Sequence, residues 1–303
     1  MRAATAMYYY SFNSYLKKRF GTKVRKIGLN AGLECPHRSA DGKGCSFCNE
    51  SGYSEFATTE LSLSGQIELS ISRMKAKYGS IKFIAYFQNA SNTNAPVREL
   101  KGIYDVIRPY KDIVGLSIST RPDCVDEEKL DLIAGYLKDY DVWLEYGVQT
   151  SHDRTLGRIN RGHDFAQAAT AIIRTAERGI NTGVHVILGL PGESREDIMA
   201  TAGQLSTLPV NGIKLHVLHV LKGSPMEKDY IEGRVHIMEK DEYALSVCDF
   251  LERTRPDIVV LRLAPDVKKG YLIAPTWVDD KSGVIERINS EFRNRGTRQG
   301  ILC

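Results

Sequence analysis

The run Val142-Trp-Leu-Glu-Tyr-Gly-Val-Gln149 combines aromatic and β-branched residues with polar side chains at alternate positions. Successive side chains of a β-strand point to opposite faces, so Glu145 and Gln149 share one face. The other face is apolar and consists of Leu144, Tyr146 and Val148. The run therefore predicts a buried strand that packs one face under helices and carries polar groups on the other.

Five further apolar runs predict strands, namely Val24–Asn30, Ile81–Phe87, Ile113–Ser119, Thr182–Gly189 and Gly212–Val220. Amphipathic helical patterns lie between them, and Asp126, Asp164 and Ser194 are predicted to cap three of these helices. This alternation is typical of an α/β fold with a parallel sheet. Six units favour a barrel or partial barrel over an open sheet, and the sequence leaves closure open. Residues 223–303 do not continue this regular alternation of strands and helices. In this part of the chain a strand is predicted at Ile258–Leu263, with helices before and after it.

Polar side chains recur on one face of several predicted strands. Ser117 and Ser119 share a face of one strand, and Lys214 and His216 share a face of another. His185 likewise opposes two valines. In a parallel barrel, such residues near the carboxyl ends line the ligand-binding mouth. The alternative is scattered buried polar groups, each with its own hydrogen bonds.

Composition limits the class of protein. The chain has 303 residues, with 41 Lys or Arg, 37 Asp or Glu, a net charge of +4 and 42% hydrophobic residues. These values exclude disordered, collagen-like and coiled-coil proteins, and the length allows one large α/β domain or two smaller ones. No apolar stretch reaches the length of a membrane helix, and the first residues do not resemble a signal peptide. The sequence therefore predicts a cytoplasmic protein without a membrane partner.

The first thirty residues carry seven Lys or Arg, six aromatic residues and no acid. Lysine and arginine bind phosphates, and aromatic rings stack on unpaired bases. The segment therefore predicts a nucleic-acid contact centred on Lys17, Lys18 and Arg19. The alternative is a solvated basic segment whose aromatic side chains pack onto the barrel.

Three of the six cysteines lie close together, in the spacing C-x9-C-x2-C formed by Cys35, Cys45 and Cys48. Three thiolates can hold a [4Fe–4S] cluster by three irons and leave the fourth iron open, whereas electron-transfer clusters normally have four cysteine ligands. Two alternatives remain open at this point. One is a zinc site with His37 as the fourth ligand, and the other is a set of separate buried thiols.

Cys45-Ser-Phe-Cys48 resembles the end of the cysteine motif of radical S-adenosylmethionine (SAM) enzymes, with an aromatic residue before the last cysteine. The gap of nine residues, in place of the usual three, resembles a branch related to the catalytic subunit of Elongator and to oxygen-independent coproporphyrinogen oxidase. The other motifs that carry the resemblance are Tyr86-Phe-Gln-Asn-Ala-Ser-Asn-Thr-Asn-Ala-Pro96, Ser119-Thr-Arg-Pro-Asp-Cys124, Glu145-Tyr-Gly-Val-Gln-Thr150, Arg158-Ile-Asn-Arg-Gly-His163 and Leu188-Gly-Leu-Pro-Gly-Glu193.

The resemblance implies a partial (β/α)6 TIM-like barrel of the radical SAM type. The implied domains are a basic N-terminal segment with the first strand at 1–30, a core barrel at 31–222 with the cluster loop 35–48, and a C-terminal α/β extension at 223–303. The implied cofactors are a [4Fe–4S] cluster on the three cysteines and SAM at its open iron. One electron from a reductant such as flavodoxin or ferredoxin cleaves SAM, and a 5′-deoxyadenosyl radical removes a hydrogen atom from the substrate.

The resemblance also assigns residues to SAM. Arg161 matches the arginine that pairs with the methionine carboxylate, for which a bidentate guanidinium is suited. Gln149 sits where relatives contact the ribose. The remaining assigned contacts are Phe47 near the adenine, Gln88 near the methionine amino group, Ser119 at the mouth and His185 on the adenosine side.

Three residues are candidates for catalysis. The thiol of Cys124 is a candidate hydrogen-atom donor or carrier of a covalent intermediate, with a buried filler as the alternative. Glu145 is a candidate base with a shifted pKa, and His216 is a candidate proton donor in the mouth. His216 and His219 are three residues apart on one predicted strand, so they should face opposite ways and share no metal.

Three interpretations of the substrate follow. Relatives in this branch have been linked to tRNA wobble-uridine side chains, which by analogy favours a tRNA-modifying radical SAM enzyme. A tRNA base would have to be splayed into the mouth to react. The alternatives are a radical SAM enzyme that acts on a small molecule such as a tetrapyrrole, and an RNA-binding protein with a structural cluster.

Overall fold

Helices and strands alternate along the residues that this computed structural model describes, which are 8–39, 44–49, 60–79, 81–264 and 270–303. Residues 1–7 of the predicted N-terminal segment and 40–43 of the predicted cluster loop lie outside them. The helices are α1 (Phe12–Phe20), α2 (Pro36–Ser39), α3 (Leu63–Tyr78), α4 (Val97–Asp105), α5 (Glu127–Ala134), α6 (Asp153–Arg158), α7 (Phe165–Glu177), α8 (Arg195–Thr207), α9 (Pro225–Ile231), α10 (Lys240–Glu252) and α11 (Lys281–Arg295). The strands are β1 (Val24–Leu29), β2 (Lys82–Phe87), β3 (Ile113–Thr120), β4 (Asp141–Gln149), β5 (Asn181–Leu188), β6 (Gly212–Val217), β7 (Val220–Leu221), β8 (Val259–Arg262) and β9 (Leu272–Ala274). In these ranges no helix combines the length and the hydrophobicity that a membrane span requires.

Seven of the strands form one parallel sheet in the order β1-β2-β3-β4-β5-β6-β8. The six predicted strands correspond to β1 to β6. The sheet has one strand more than predicted, because β8 pairs with the free edge of β6 and places Ile213 opposite Val260. Lys26 of β1 and Lys214 of β6 both reach Glu145 of β4 across the interior, so the sheet is curled into a partial barrel.

Helices cover the outer face of the curled sheet. Tyr146 of β4 points outward, and its hydroxyl lies 2.7 Å from Oγ1 of Thr175 in α7. Leu144 and Val148 on the same face are buried in the hydrophobic core. The alternation predicted for this strand is therefore correct, and Glu145 occupies the inner face. Burial of each large apolar side chain contributes about 1.5–3 kcal/mol, so this layer supplies much of the stability of the fold.

The barrel is open between β1 and β8, the two edges of the parallel sheet, and α1 packs against both. The backbone N–H of Val260 in β8 donates to the carbonyl of Tyr10 at 2.7 Å. Leu16 of α1 is buried against Val24 and Ile84. Val24 and Val260 lie near the amino ends of their strands, so α1 covers the gap at the end opposite the predicted mouth.

Aromatic side chains of α1 close the amino end of the barrel. Tyr15 donates from its hydroxyl to Oδ1 of Asp141 at 2.8 Å, and Trp143 donates from Nε1 to Oδ2 at 2.8 Å. The rings of Phe12 and Tyr15 pack edge-on against Trp143, with centroids 5.8 and 5.4 Å away. Burial and the Asp141 charge raise the pKa of Tyr15, which keeps its hydroxyl protonated as a donor. These rings thus pack onto the barrel, as in the alternative interpretation of this segment.

We expect Tyr15→Phe to lower the free energy of unfolding by about 2 kcal/mol, because it removes a hydrogen bond to a buried carboxylate. Urea denaturation followed by circular dichroism measures the change. Tyr8→Phe is the matched control, because Tyr8 stacks on Phe292 through its ring. Equal stability of the two variants would contradict the role assigned to the Tyr15 hydroxyl.

Candidate active site

A cavity of about 1380 Å³ opens at the carboxyl ends of the strands and extends into the barrel. Cys35, Cys45 and Cys48 all line it. Gln149 at the end of β4 lines its upper part, and Lys214 in the middle of β6 lines its deeper part. The structure therefore brings the predicted cluster ligands and the predicted mouth residues to one cavity.

Backbone and side-chain amides hold the loop that carries the cysteines. The N–H of Ser46 donates to the carbonyl of Ile159 at 2.9 Å. The side chain of Asn160 donates from Nδ2 to the carbonyl of Gly44 at 2.7 Å. These bonds tie the loop to the segment that follows α6 and position Cys45 without using its thiol.

His37 is the fourth ligand of the zinc alternative. Its Nε2 lies 2.7 Å from the carbonyl oxygen of Asn160, so this ring nitrogen already has a hydrogen-bond partner. In the described parts of the chain, no group of three His, Cys, Asp or Glu side chains is placed to hold one metal ion. In a [4Fe–4S] cubane each cysteine binds a different iron, so the three thiolates need not meet at one point.

Two buried guanidinium groups lie beside the cysteines. Arg161 donates from Nη1 to Sγ of Cys45 at 3.4 Å and from Nε to the carbonyl of Gly147 at 3.1 Å. Arg121 donates to both carboxylate oxygens of Asp123, at 2.9 and 2.8 Å, and its buried Nη1 has no partner among the described residues. Burial lowers the pKa of Arg121, but Asp123 and the nearby cysteines raise it overall, so it stays charged. Both cations suit a cluster with three thiolate ligands.

Gly147 makes room for two of the predicted SAM contacts. A Cβ atom there would lie 2.7 Å from Nη2 of Arg161 and 2.8 Å from Nε2 of Gln149. Gln149 has φ of +76°, and the other described non-glycine residues with positive φ are Asn89, Ala90 and Asn160. Gln149 is the last residue of β4, and the other three follow β2 or α6, so all four lie where an element ends. Strained backbone of this kind concentrates at functional sites. The mouth is therefore built to hold the Gln149 and Arg161 side chains in place.

The other predicted SAM contacts, Phe47, Gln88, Ser119 and His185, also line the cavity. The Gln88 amide lies so close over Gly28 that a side chain at Gly28 would displace it. His185 lies deeper, in the middle of β5 and next to Lys214 in the register. Burial and the Lys214 charge lower the pKa of His185 to about 4, so its ring is neutral at pH 7.

Glu145 is completely buried behind the cavity wall. Its Oε1 accepts from Lys26 Nζ and Ser117 Oγ, both at 2.5 Å. Its Oε2 lies 2.8 Å from His185 Nε2 and 3.6 Å from Lys214 Nζ. Burial raises the pKa of Glu145, but the two lysine charges and the histidine hydrogen bond lower it well below its ordinary value. In this structure Glu145 is the counter-ion of two lysines, which stand between it and the cavity.

His216 and His219 both line the cavity, so the prediction that they face opposite ways is wrong. β6 ends at Val217, and the alternation of a strand does not extend to His219. Arg262 Nη2 lies 3.1 Å from Nδ1 of His216, and the buried Nε2 of His219 has no partner in the described ranges. Burial and the Arg262 charge lower the pKa of both rings, that of His219 to about 3. Both histidines are therefore neutral.

Cys124 is buried and is not among the residues that line the cavity. Its carbonyl accepts from Thr93 Oγ1 at 2.7 Å. Burial raises the pKa of its thiol to about 11, so the thiol stays protonated at pH 7. The thiol is close enough to Arg121 and Cys35 for their charges to act on its pKa, and its role as a hydrogen-atom donor stays a prediction.

Lys17, Lys18 and Arg19 are exposed in the last turn of α1. Because α1 covers the amino ends of the strands, these cations lie at the end of the barrel opposite the cysteines. Arg19 Nε is 3.8 Å from Asp141 Oδ1. The length of the strands therefore separates these predicted nucleic-acid contacts from the mouth.

The charged or polar residues of the cavity that were missed as site residues include Lys26, Tyr86, Arg121, Lys214 and Arg262. Strand alternation had already placed Lys214 on the face of His216. The same argument applied to β1 and β8 would have found Lys26 and Arg262, which lie at inward positions. Arg121 follows β3 in an irregular segment, where alternation carries no signal.

Two family models match this chain. The one described as "Radical SAM superfamily" matches residues 32–205, and the one described as "Radical_SAM C-terminal domain" matches residues 210–294. The chain belongs to the radical SAM superfamily. The resemblance drawn from the cysteine motif is confirmed, and enzymes of this superfamily bind a [4Fe–4S] cluster and SAM, which are the cofactors of this chain.

Relatives and solved structures agree with this membership. The uncharacterized protein YtqA of Bacillus subtilis is 40% identical over 296 residues, which cover 96% of this chain and 92% of YtqA. A tRNA uridine(34) acetyltransferase of Dehalococcoides mccartyi is 26% identical over 183 residues, or 59% of this chain and 39% of that protein. The structure of archaeal Elp3 from Methanocaldococcus infernus aligns with a TM-score of 0.69 and 15% identity, over 92% of this chain and 64% of its own. This alignment confirms the radical SAM barrel fold.

We expect Cys45→Ala to lose the cluster, because the substitution removes one of three thiolates. Anaerobic reconstitution should give about four irons per chain in the wild type and far fewer in the variant, as measured by iron analysis and absorption spectroscopy. Cys303→Ala is the matched control, because Cys303 is exposed. Full iron content in Cys45→Ala would refute Cys45 as a ligand.

We expect Gly147→Ala to keep the cluster and to weaken SAM binding about tenfold, which is about 1.4 kcal/mol. The added methyl group displaces the ends of Arg161 and Gln149, which are the nearest atoms. Calorimetric titration of the reconstituted protein with SAM measures the loss. Gly102→Ala in α4 is the control, because its methyl group meets open space. SAM affinity equal to that of the wild type would contradict the placement of these two side chains at SAM.

Proposed function

We propose that this radical SAM enzyme removes a hydrogen atom from a uridine of tRNA. The observation that carries the enzymatic part is the meeting of three cysteines and the Arg161 guanidinium on one cavity wall. When bound there, the cluster and SAM supply reductive cleavage and hydrogen-atom abstraction. The proposed reaction also requires a one-electron reductant, such as flavodoxin or ferredoxin, to supply the electron for SAM cleavage.

The residues of the chain bind and orient the cofactors in this proposal. Cys35, Cys45 and Cys48 are the three thiolate ligands. The Arg161 guanidinium holds the methionine carboxylate, since a planar bidentate donor matches a carboxylate. The Gln149 amide holds the ribose. The remaining contacts to the adenosine and the methionine amino group are Phe47, Gln88 and Ser119 near the mouth and His185 deeper in the cavity.

Two observations support tRNA as the substrate. The first is the similarity to a protein named for uridine 34 of tRNA, over 59% of this chain. The second is the charge of the cavity, since in the described part of the chain the acidic residues that line it are Glu60 and Asp279. The basic residues that line it are Lys26, Arg38, Arg73, Lys77, Arg121, Arg161, Lys214, Arg262 and Lys281. Such an excess of positive charge favours a polyanion.

A basic surface borders the cavity beside β1, and we call it the β1 rim. It consists of Lys23, Arg25, Arg73 and Lys77 around the ring of Tyr78. Lys23, Arg25 and Lys77 lie 4.6, 5.2 and 5.3 Å from the centre of that ring. Like charges this close repel one another, and RNA phosphates would offset the repulsion. Arg73 and Lys77 of the β1 rim line the cavity, so we propose that the rim holds the RNA while a base enters the cavity.

The activity has a direct test. Reconstituted protein with SAM and dithionite should form methionine and 5′-deoxyadenosine. Mass spectrometry of tRNA nucleosides from a strain that lacks the protein should show one altered uridine derivative. SAM cleavage together with unchanged tRNA nucleosides would reject tRNA and favour the small-molecule alternative. Absence of SAM cleavage would reject the enzymatic proposal as a whole.

We expect the triple variant Lys23→Glu, Arg73→Glu, Lys77→Glu to bind tRNA at least tenfold more weakly than the wild type. The slope of log K against log salt concentration should become shallower by about two, because three phosphate-binding charges are reversed. Filter binding at several salt concentrations measures both values.

The matched control is the triple variant Lys17→Glu, Lys18→Glu, Arg19→Glu, which reverses three exposed charges on α1 outside the residues that line the cavity. It should bind tRNA like the wild type. If this control loses binding while the β1 rim variant keeps it, RNA docks on α1 as the sequence predicted, and the assignment to the β1 rim is wrong.

A further inference from the structure

A second group of cations lies deeper in the cavity than the residues assigned to SAM, and we call it the cationic floor. It consists of Lys26 of β1, Lys214 of β6 and Arg262 of β8, all of which line the cavity. Lys214 and Arg262 are direct neighbours in the register of β6 and β8. These residues lie within strands and not in loops, so their positions are fixed by the sheet.

The carboxylate that balances the cationic floor is hidden from the cavity. Glu145 contacts Lys26 and Lys214 but is completely buried behind them. Among the described residues, the acidic ones that line the cavity are Glu60 and Asp279, and both are exposed to solvent. A ligand that enters from the mouth therefore meets ammonium and guanidinium groups at the bottom. Glu145 carries one negative charge between Lys26 and Lys214, so this pair of lysines has more positive than negative charge.

Two polar groups of the cavity have few close hydrogen-bond partners. Lys214 donates to the Tyr86 hydroxyl at 2.8 Å, while His185 Nε2 and Glu145 Oε2 lie 3.5 and 3.6 Å away. The ammonium group, which has three donors, therefore makes one short hydrogen bond and two long contacts. Independently, the buried Nε2 of His219 lines the same cavity and has no partner in the described ranges. A buried polar atom of this kind costs free energy unless something pairs with it.

The protonation of the surrounding groups agrees with an anionic ligand. Burial and the Arg262 charge lower the pKa of Lys214 well below its ordinary value, although Glu145 raises it. An anion in contact with Lys214 would raise that pKa and offset the cost of burying the charge. His185 and His216 are neutral beside it, so they do not change the charge of the floor.

We propose that the cationic floor binds an oxyanion of the substrate, either a carboxylate or a phosphate. Held there, the anion would direct the rest of the molecule toward the cofactors at the mouth. This proposal rests on the proposed function to the extent that it requires a substrate in this cavity. Its test is chosen to be independent of SAM cleavage and of tRNA.

The test uses the reconstituted holoprotein with ¹⁵N-labelled histidine side chains. Acetate, its neutral analogue acetamide and inorganic phosphate are titrated separately. Acetate should shift the ring signals of His216 and His219 with saturation, and acetamide should act at least tenfold more weakly. Tighter binding of phosphate than of acetate would identify a phosphate group as the substrate anion, and the reverse order would identify a carboxylate.

Lys214→Met should weaken acetate binding at least tenfold, and Lys26→Met is a second variant in case the first does not fold. Lys82→Met is the matched control, because Lys82 pairs with Asp112 at the surface, 2.9 Å away. Equal affinity for acetate and acetamide in the wild type would overturn the proposal. Wild-type acetate affinity in both folded variants would overturn it as well. Neither result depends on whether tRNA is the substrate. Failure of the anion-binding proposal can therefore be distinguished from failure of the proposed function.

Discussion

Parallel pairing brings the carboxyl ends of seven strands to one edge of the sheet, and this constraint determines where the chemistry of the chain can lie. The cysteine loop follows β1, Arg121 follows β3 and Arg161 lies in the segment after β4. These segments are far apart in sequence, yet they meet because the curled sheet directs all of them to one mouth. The bonds of Ser46 and Asn160 then tie the first segment to the last.

The contacts among the charged side chains inside the barrel also require the sheet to be curled. Glu145 is reached by Lys26 from β1, His185 from β5 and Lys214 from β6, so one buried carboxylate links strands from both ends of the sheet. Removing one partner of a buried ion pair typically costs 3–5 kcal/mol, because the remaining charge is left uncompensated. The network therefore favours one curvature of the sheet over flatter arrangements, in addition to any role toward a ligand.

Local features of the fold could be predicted from the sequence, and features that depend on distant contacts could not. Asp126, Asp164 and Ser194 do cap α5, α7 and α8, because capping involves residues only three positions apart. The inner position of Glu145 also follows from strand alternation. The pairing of β8 with β6 had no local signal, since it depends on which edge remains free after six strands. No local sequence signal indicated the inward position of His219 either, because His219 lies beyond the end of β6 and strand alternation does not apply to it.

Cofactor residues and floor residues are placed on different kinds of structure. The cysteines, Arg121 and Arg161 lie in loops and turns, where backbone strain and close glycine contacts can shape a site around a bulky cofactor. Lys26, Lys214 and Arg262 lie inside strands, whose positions vary little because each is paired on the sheet. A group held by strands presents a fixed charge pattern at the bottom of the barrel. In this arrangement the loops carry the cofactor ligands, and under our proposal three inward strand positions would select the substrate by its charge.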